Sequence, residues 1–237
     1  MDDRLGKNMG LFRMCTRAGI VAAALAAAIM TASAQWQVQA QSPAPIRIVA
    51  FGDSLTAGYN LSPADAFPAQ LERALKARGR TVEIINAGVS GDTTAAALER
   101  FDWAIPDGVD AAIVELGAND GLRGQSPAQA RRNLDTIIAK LKAKNIEVLL
   151  AGIPAPRNWG DDDVKAFDPM FADLAAIHGT LLYPFFLDGV ALKPELSLPD
   201  GLHPNARGVA IIVERIGAKI DELLERVAAR RKATGKG

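Results

Sequence analysis

Residues 46–55 read IRIVAFGDSL, a mostly apolar segment that ends in a Gly-Asp-Ser turn. A short, almost unbroken apolar run of this kind is typical of a strand that is buried on both faces of a parallel sheet. Because parallel strands are joined by crossover helices, the segment predicts a chain in which strands and helices alternate. In such folds the functional site lies beyond the carboxyl ends of the strands, so the turn after this segment is expected to carry chemistry.

The remainder of the chain fits this alternation. Four more short apolar segments predict strands, at 82–86, 111–116, 147–153 and 180–183. Helical patterns lie between and after them, at 67–78, 93–103, 127–144, 164–177 and 206–227. We therefore expect one α/β domain, a three-layer α/β/α sandwich around a parallel, flavodoxin-like sheet of about five strands.

The N-terminal segment has the pattern of an export signal. Basic residues precede an uncharged, alanine-rich run at 18–30, which is shorter than the roughly 20 residues that a membrane span needs. Small residues predict signal cleavage near Ala34, with a second candidate position at Ala40. The expected location is the periplasm or the medium, with no stable membrane span after cleavage, and the alternative is an uncleaved membrane anchor.

Four segments follow from these patterns. They are a signal peptide with a short leader (1–40), a linker (41–45), the folded domain (46–228) and a basic tail (229–237). The tail is expected to be frayed, because its residues are polar and follow the last apolar position of the final helix.

Composition excludes several classes of protein. The 27 basic and 27 acidic residues give no net charge, so there is no global electrostatic basis for binding nucleic acid or an anionic membrane surface. The single cysteine, Cys15, lies in the predicted signal segment, which excludes a disulfide framework, a CxxC zinc site and thiol catalysis in the folded domain. Histidine-dependent chemistry must use His178 or His203. His178 is expected to interact with a helix C-terminus.

Four polar loops carry the candidate functional residues. They read GDSLT (52–56), NAGVSGDT (86–93), GANDG (117–121) and DGLHP (200–204). Each loop alone is compatible with an ordinary turn or helix cap. Together they meet the needs of one mechanism. Ser54 can act as nucleophile and His203 as base, and Asp200 is spaced to orient the imidazole.

Acyl transfer also needs hydrogen-bond donors for a developing oxyanion. Gly91 is predicted at the N-terminus of a helix, where backbone N–H groups lack partners, and Asp92 is predicted to cap that helix. Asn119 offers a side-chain amide, and Ser54 adds its own backbone N–H. These three residues are the predicted oxyanion donors.

Read together, the four loops resemble the blocks of the SGNH hydrolase superfamily, also called the GDSL family. The resemblance implies that Ser54 is the nucleophile, His203 the base and Asp200 its orienting acid, with Gly91 and Asn119 in the oxyanion hole. Segments 114–117 and 182–186 are most similar to the branch of bacterial periplasmic thioesterase I, arylesterase and lysophospholipase. The implied activity is hydrolysis of small acyl esters and thioesters through an acyl-enzyme, without a cofactor.

Several alternatives stay open. One is a carbohydrate O-deacetylase on the same fold, and another is a binding module that has the fold without the activity. Four aspartates follow the strands (Asp53, Asp92, Asp120 and Asp200), but they lack regular ligand spacing, so no metal is expected. The loop 154–163 is expected to overhang the site and contact substrate. Ala118 stands where the resembled branch often has glycine.

Overall fold

A computed structural model describes residues 44–155 and 161–235, without the side chains of 161–163. The predicted signal peptide with its cleavage positions at Ala34 and Ala40, together with Cys15, lies outside the described residues. So does most of the loop 154–163. The expectations on these segments therefore stay predictions.

Five parallel strands form one sheet. They are β1 (Ile46–Gly52), β2 (Val82–Gly88), β3 (Ala111–Glu115), β4 (Glu147–Ala151) and β5 (Leu181–Tyr183). The strand order is β2-β1-β3-β4-β5, and every neighbouring pair is parallel. This is the flavodoxin-like order, so the predicted three-layer α/β/α sandwich is confirmed.

Helices cover both faces of the sheet. They are α1 (Ser54–Ala57), α2 (Phe67–Ala77), α3 (Thr94–Glu99), α4 (Phe101–Ala104), α5 (Ala118–Leu122), α6 (Pro127–Ala143), α7 (Asp161–Phe167), α8 (Met170–His178) and α9 (Ala206–Ala233). The predicted helix at 93–103 is divided at Arg100 into α3 and α4. Across residues 44–155 and 161–235, no helix combines the length and the apolar character that crossing a bilayer requires.

Two apolar clusters, one on each face of the sheet, form the core. Ile48 and Ile113 pack with α2 and α9 on one face, while Val49 and Val114 pack with α3, α4, α6 and α8 on the other. Adjacent residues of one strand thus belong to opposite clusters, as expected for a strand with a side-chain period of two. Burial on both faces explains why the strand segments are apolar throughout rather than alternating.

The functional crevice lies where the strand order reverses. The chain passes from β1 to β2 on one side and then returns past β1 to β3, which opens a crevice at the carboxyl ends of β1 and β3. Gly52, the last residue of β1, pairs with Gly88 and Glu115. A Cβ on Gly52 would overlap the hydroxyl of Thr56, so only glycine lets α1 sit directly above the strand end.

The end of α9 differs from its prediction. The helix continues to Ala233 rather than ending near Val227, so most of the expected frayed tail is ordered. The reason is a partly buried ionic contact that the sequence pattern does not reveal. Arg231 Nη2 donates to Asp110 Oδ2 (2.6 Å), and Arg230 Nη2 donates to the Asp110 carbonyl oxygen (2.9 Å). Burial acts to raise the pKa of Asp110, but these arginines outweigh it and the pKa is lowered.

Candidate active site

Ser54 is the first residue of α1, directly after β1. Asp53 caps this short helix, with its Oδ1 accepting the backbone N–H of Leu55 (3.0 Å). The helix ends after one turn at Gly58, which has a left-handed conformation (φ 82°) and donates its N–H to the Ser54 carbonyl oxygen (3.1 Å). The turn therefore presents the Ser54 hydroxyl at the mouth of the crevice.

Ser54, His203 and Asp200 form a continuous chain of hydrogen bonds. The Ser54 hydroxyl lies 2.9 Å from His203 Nε2, and His203 Nδ1–H donates to Asp200 Oδ2 (2.8 Å). The other oxygen of Asp200 accepts the backbone N–H groups of Leu202 (2.9 Å) and His203 (3.0 Å). These backbone bonds, His203's first, lower the pKa of Asp200 to about 2. The orienting carboxylate is therefore ionised across the neutral pH range.

The loop that carries His203 is anchored on both sides. Leu198 N–H donates to the carbonyl oxygen of His203 (2.8 Å), within a short antiparallel bridge between Ser197 and Pro204. Asn205 caps α9, with its Oδ1 accepting the N–H of Gly208 (3.0 Å), while its Nδ2 donates to the Ser197 carbonyl oxygen (3.2 Å). The start of the longest described helix thus holds the imidazole in place.

Asn119 lies on the first turn of α5, which begins after Gly117 in the left-handed region (φ 117°). Its Nδ2 donates to Asp53 Oδ2 (3.0 Å) and to the Asp92 carbonyl oxygen (3.0 Å). An amide nitrogen has two hydrogens, so both are engaged. An oxyanion can gain the Asn119 donor only by displacing one acceptor or by sharing a hydrogen in a three-centre bond.

Gly91 differs from its prediction. It lies in a turn before the helix and not at the helix N-terminus, because Thr93 caps α3 by accepting the N–H of Ala96 (3.3 Å). Gly91 has a left-handed conformation (φ 85°), and its carbonyl oxygen accepts a hydrogen bond from Arg123 Nη2 (2.7 Å). The backbone of Gly91 is thus held by the geometry of the turn and by the Arg123 guanidinium, and not by a position at a helix N-terminus.

Asp92 does not cap α3, contrary to its prediction. Its carboxylate accepts from Arg100 Nε (2.5 Å), and both side chains are largely buried. Arg100 Nη2 also donates to the Gly52 carbonyl oxygen (3.1 Å), and the guanidinium lies 4.4 Å from the centre of the Phe51 ring. Arg100 therefore fastens the Gly91–Asp92 turn to the end of β1.

Two buried carboxyl groups lie beneath Ser54. Asp53 and Glu115 are both inaccessible to solvent, and Thr56 Oγ1 donates to Glu115 Oε2 (2.8 Å). Burial raises the pKa of Asp53 to about 6, although hydrogen bonds from Leu55 and Asn119 oppose the shift. Burial and the nearby Asp53 raise the pKa of Glu115 well above its ordinary value. Sequence reasoning missed Glu115, because its strand position marks it only as a polar interruption.

Apolar side chains on the loops of the site were also missed. Four such side chains are exposed to solvent: Tyr59, Val89, Leu122 and Leu202. Tyr59 follows the Gly58 turn, Val89 precedes the Gly91 turn, and Leu202 lies beside His203. A single exposed apolar residue carries no signal in a sequence. These four become a set only when the fold brings their loops to one edge of the sheet.

Two further residues singled out in the sequence, His178 and Ala118, take no part in the hydrogen bonds of the site. His178 ends α8 and its Nε2 lies 2.7 Å from Asp135 Oδ1 on α6, on the outside of the domain. Ala118, which stands in the place of a glycine, packs its methyl group against the core. Within residues 44–155 and 161–235, His, Cys, Asp and Glu side chains form no cluster of three or more able to hold a metal ion.

Comparison with known proteins agrees with this geometry. Residues 50–211 match the GDSL-like lipase/acylhydrolase family. The chain is 35% identical to esterase TesA of Pseudomonas aeruginosa, covering 78% of this chain and 92% of TesA. It is also 35% identical to thioesterase 1/protease 1/lysophospholipase L1 of Escherichia coli K12, covering 75% and 84%.

A solved structure extends the likeness. AlinE4, an SGNH-hydrolase family esterase, superposes with a TM-score of 0.65 at 45% identity, covering 78% of this chain and 99% of AlinE4. The family match spans all four polar loops and ends within α9, and the relatives are covered over most of their length. The chain therefore belongs to the GDSL-like lipase/acylhydrolase family, the SGNH hydrolases, and is a serine hydrolase of ester bonds.

Proposed function

We propose that the protein hydrolyses carboxylic esters and acyl thioesters through an acyl-enzyme formed on Ser54. The observation that carries this proposal is the hydrogen-bond chain from Ser54 through His203 to Asp200 at the mouth of the crevice. A serine hydroxyl is a weak nucleophile unless a base takes its proton as it attacks, and this arrangement supplies the base and the group that orients it.

The proposed reaction has two halves. Ser54 Oγ attacks the carbonyl carbon while His203 Nε2 takes its proton, and the imidazolium is stabilised by Asp200. His203 then gives that proton to the leaving alcohol or thiol, which departs and leaves an acyl ester on Ser54. In the second half a water molecule, activated by the same imidazole, attacks this ester and releases the acid.

The oxyanion of each tetrahedral intermediate is proposed to bind three donors. These are the backbone N–H groups of Ser54 and Gly91 and the Nδ2–H of Asn119. The Asn119 amide is held from both sides by Asp53 and Asp92. Its bond to the oxyanion would therefore form at the expense of one of these, and the Asp92 carbonyl is the weaker acceptor because it carries no formal charge. Donors that are already in place lower the barrier because little of the site has to reorganise as the charge develops.

The substrate is proposed to be a small acyl ester or thioester. Relatives named esterase and thioesterase 1/lysophospholipase L1 support this range of leaving groups. Exposed apolar side chains at Tyr59, Val89, Leu122 and Leu202 supply a surface suited to an acyl chain or aryl group. Export to the periplasm or the medium is proposed from the pattern of residues 1–40.

The test of the mechanism uses a serine-directed phosphonate ester and the variant Ser54→Ala. We expect wild type to incorporate one equivalent of phosphonate and Ser54→Ala to incorporate none and lose turnover, with an unchanged melting temperature. Ser62→Ala is the matched control, because Ser62 is an exposed serine bonded to Asp65 outside the site. Normal turnover by Ser54→Ala would contradict the acyl-enzyme.

A second experiment defines the substrate. Rates are measured on p-nitrophenyl esters of increasing chain length, on acyl-CoA thioesters and on acetylated sugars. We expect turnover of the esters and thioesters to exceed that of the sugars. Preference for acetylated sugars would favour the O-deacetylase alternative, and absence of turnover with every substrate would favour a binding module.

A further inference from the structure

Asp53 and Glu115 form a buried carboxyl pair that the mechanism does not use. Gly52, the residue before Asp53, pairs with Glu115 across β1 and β3, and both carboxyl groups are closed off from solvent. Both Asp53 oxygens accept N–H bonds, Oδ1 from Leu55 and Oδ2 from Asn119. Glu115 Oε2 accepts from Thr56, and the backbone N–H of Asp53 acts to lower the pKa of Glu115, whereas Glu115 Oε1 is buried and has no hydrogen-bond partner of good geometry within the described part of the chain.

Two ionised carboxylates are not stable side by side in a site closed off from solvent. Each would have lost its hydration, and their like charges would repel at close range. The buried cation nearest in the network, Arg100, is already bonded to Asp92 and to the Gly52 carbonyl oxygen. One proton shared between the carboxyl groups removes the repulsion and gives the otherwise unpartnered Oε1 a bond.

The proton belongs on Glu115. Every hydrogen-bonding neighbour of Asp53 in the site is a donor, which favours the carboxylate form at that position. Glu115 has a free oxygen, Oε1, that can carry the hydrogen and donate it to Asp53. The pair then holds one negative charge and one proton, as two carboxyl groups sharing a site generally do.

We propose that Glu115 is a neutral carboxylic acid at neutral pH whose proton, donated to Asp53, makes the Asp53–Glu115 pair the positioning group for the Asn119 amide. This inference rests on the proposed role of Asn119 in the oxyanion hole. It adds that the donor's orientation is set by a protonated residue on β3 that touches neither substrate nor nucleophile.

The physical reason lies in the symmetry of the amide. An asparagine side chain can turn by half a rotation and exchange its oxygen for its nitrogen with little change in shape. An ionised Asp53 together with the Asp92 carbonyl oxygen accepts only from Nδ2, so the nitrogen of the amide stays on the side of these two acceptors. If the pair took a second proton, on Asp53, that preference would weaken, because only the Asp92 carbonyl oxygen would still require Nδ2.

The shared proton also limits an unfavourable charge. A full carboxylate beside the donor of an oxyanion would oppose the negative charge that develops there. Donation from Glu115 draws part of the charge of Asp53 away from the crevice. Asp53 can thus hold the amide firmly while repelling the oxyanion less than an isolated carboxylate would.

Substitutions at position 115 separate this role from simple packing. Glu115→Gln keeps a donor for Asp53 and an acceptor for Thr56, and we expect it to retain kcat within about threefold of wild type. Glu115→Leu fills similar volume without a donor, and we expect kcat to fall about tenfold or more with KM nearly unchanged. Equal kcat for the two folded variants would overturn the positioning role.

Infrared spectroscopy tests the proton directly. Wild type near neutral pH should show the carbonyl stretch of a buried carboxylic acid, and Glu115→Gln should lack it. Asp135→Asn, which removes an exposed carboxylate, is the matched control and should keep the band. Absence of the band from wild type would overturn the proposal whatever the kinetics show, and this readout holds even if Glu115→Leu does not fold.

Comparison of Glu115→Leu with Asn119→Ala distinguishes failure of this inference from failure of the proposed oxyanion hole. If Asn119→Ala kept normal kcat, the role of Asn119 in the oxyanion hole, and with it the positioning role of the pair, would fall. If Asn119→Ala lost kcat while Glu115→Leu retained it, the oxyanion hole would stand and only the positioning role would be overturned.

Discussion

The phenol ring of Tyr59 lies against the imidazole of His203, with ring centres 4.5 Å apart and planes inclined by 36°. The backbone N–H of Tyr59 also donates to the Ser54 carbonyl oxygen (3.1 Å). One residue therefore contacts both the proposed base and the turn that carries the proposed nucleophile. The Tyr59 ring restricts rotation of the His203 imidazole and so favours the orientation in which Nε2 contacts Ser54.

Tyr59→Ala should lower kcat about tenfold, because the imidazole loses the surface that orients it, whereas Tyr59→Phe should stay close to wild type. Steady-state kinetics on a p-nitrophenyl ester measure both. Trp103→Ala is the matched control, since Trp103 is a more exposed aromatic residue on α4, outside the site. Equal losses in Tyr59→Ala and Tyr59→Phe would assign the effect to the hydroxyl instead.

The two histidines should behave differently. His203→Ala should lower kcat by roughly 10³-fold or more, because Ser54 then loses the imidazole that takes its proton. His178→Ala should keep normal kcat and lose only a little thermal stability, since His178 contacts Asp135 on the outside of the domain. Active-site-titrated kcat and melting temperature are measured on the same preparations. A large loss of titrated kcat in His178→Ala would contradict this assignment.

Asn119→Ala should lower kcat by roughly 10²–10³-fold with a smaller change in KM, because the amide bonds the carbonyl oxygen more strongly once it carries charge. Asn119→Asp should be at least as damaging, since a carboxylate repels the oxyanion. The matched control is Asn133→Ala, which removes a buried amide bonded to Thr94 (3.0 Å) away from the crevice. That control should lose stability and keep its titrated kcat.

The Arg100–Asp92 pair should matter for stability. Arg100→Met leaves a buried carboxylate without its partner and should lower the free energy of unfolding by about 3–5 kcal/mol, as measured by urea denaturation. Adding Asp92→Asn should recover part of the loss, because no unpaired charge remains. Arg131→Met, which breaks the more exposed pair with Asp173, should cost about 1 kcal/mol or less. Similar costs at both sites would contradict the role assigned to burial.

Glu115→Gln should become more stable relative to wild type as pH rises. The pKa of Glu115 is raised in the folded protein, so the unfolded chain releases this proton at lower pH. Folding of wild type then takes up a proton, and its stability falls with rising pH until folded Glu115 ionises. Above about pH 6, where Asp53 of wild type is ionised, the difference should grow by up to about 1.4 kcal/mol per pH unit. Parallel pH profiles of urea stability would contradict a protonated Glu115.

Much of the fold could be predicted because it depends on local patterns. Continuous apolar runs predict that the strand segments are buried on both faces. Their alternation with helices leaves few possible topologies. The spacing of Asp200 and His203 also made their contact predictable, because two side chains three residues apart in one loop stay within hydrogen-bonding reach of each other. The proximity of Ser54 and His203 was predicted only from the rule that functional sites lie beyond the carboxyl ends of parallel strands.

Contacts between distant segments were not predictable in this way. Asp92 has the ordinary pattern of a helix cap, and only the packed structure brings Arg100 from the end of α3 to its carboxylate. Asn119 could be identified as an amide donor, but the two acceptors that hold it, Asp53 and Asp92, come from the cap of α1 and the turn before α3. Arg231 belongs to a basic segment that suggests a frayed end until Asp110 is placed beside it.

That arginine also joins the two ends of the described domain. Arg231 donates to the carbonyl oxygens of Ala44 and Pro45 (2.7 Å each), just before β1 begins. β1 then runs for about 23 Å before it reaches the Ser54 turn, so this junction lies at the edge of the sheet opposite the crevice. Circular permutation is therefore open to this domain: a short glycine-serine linker between positions 233 and 44 would span a small gap far from the reacting atoms.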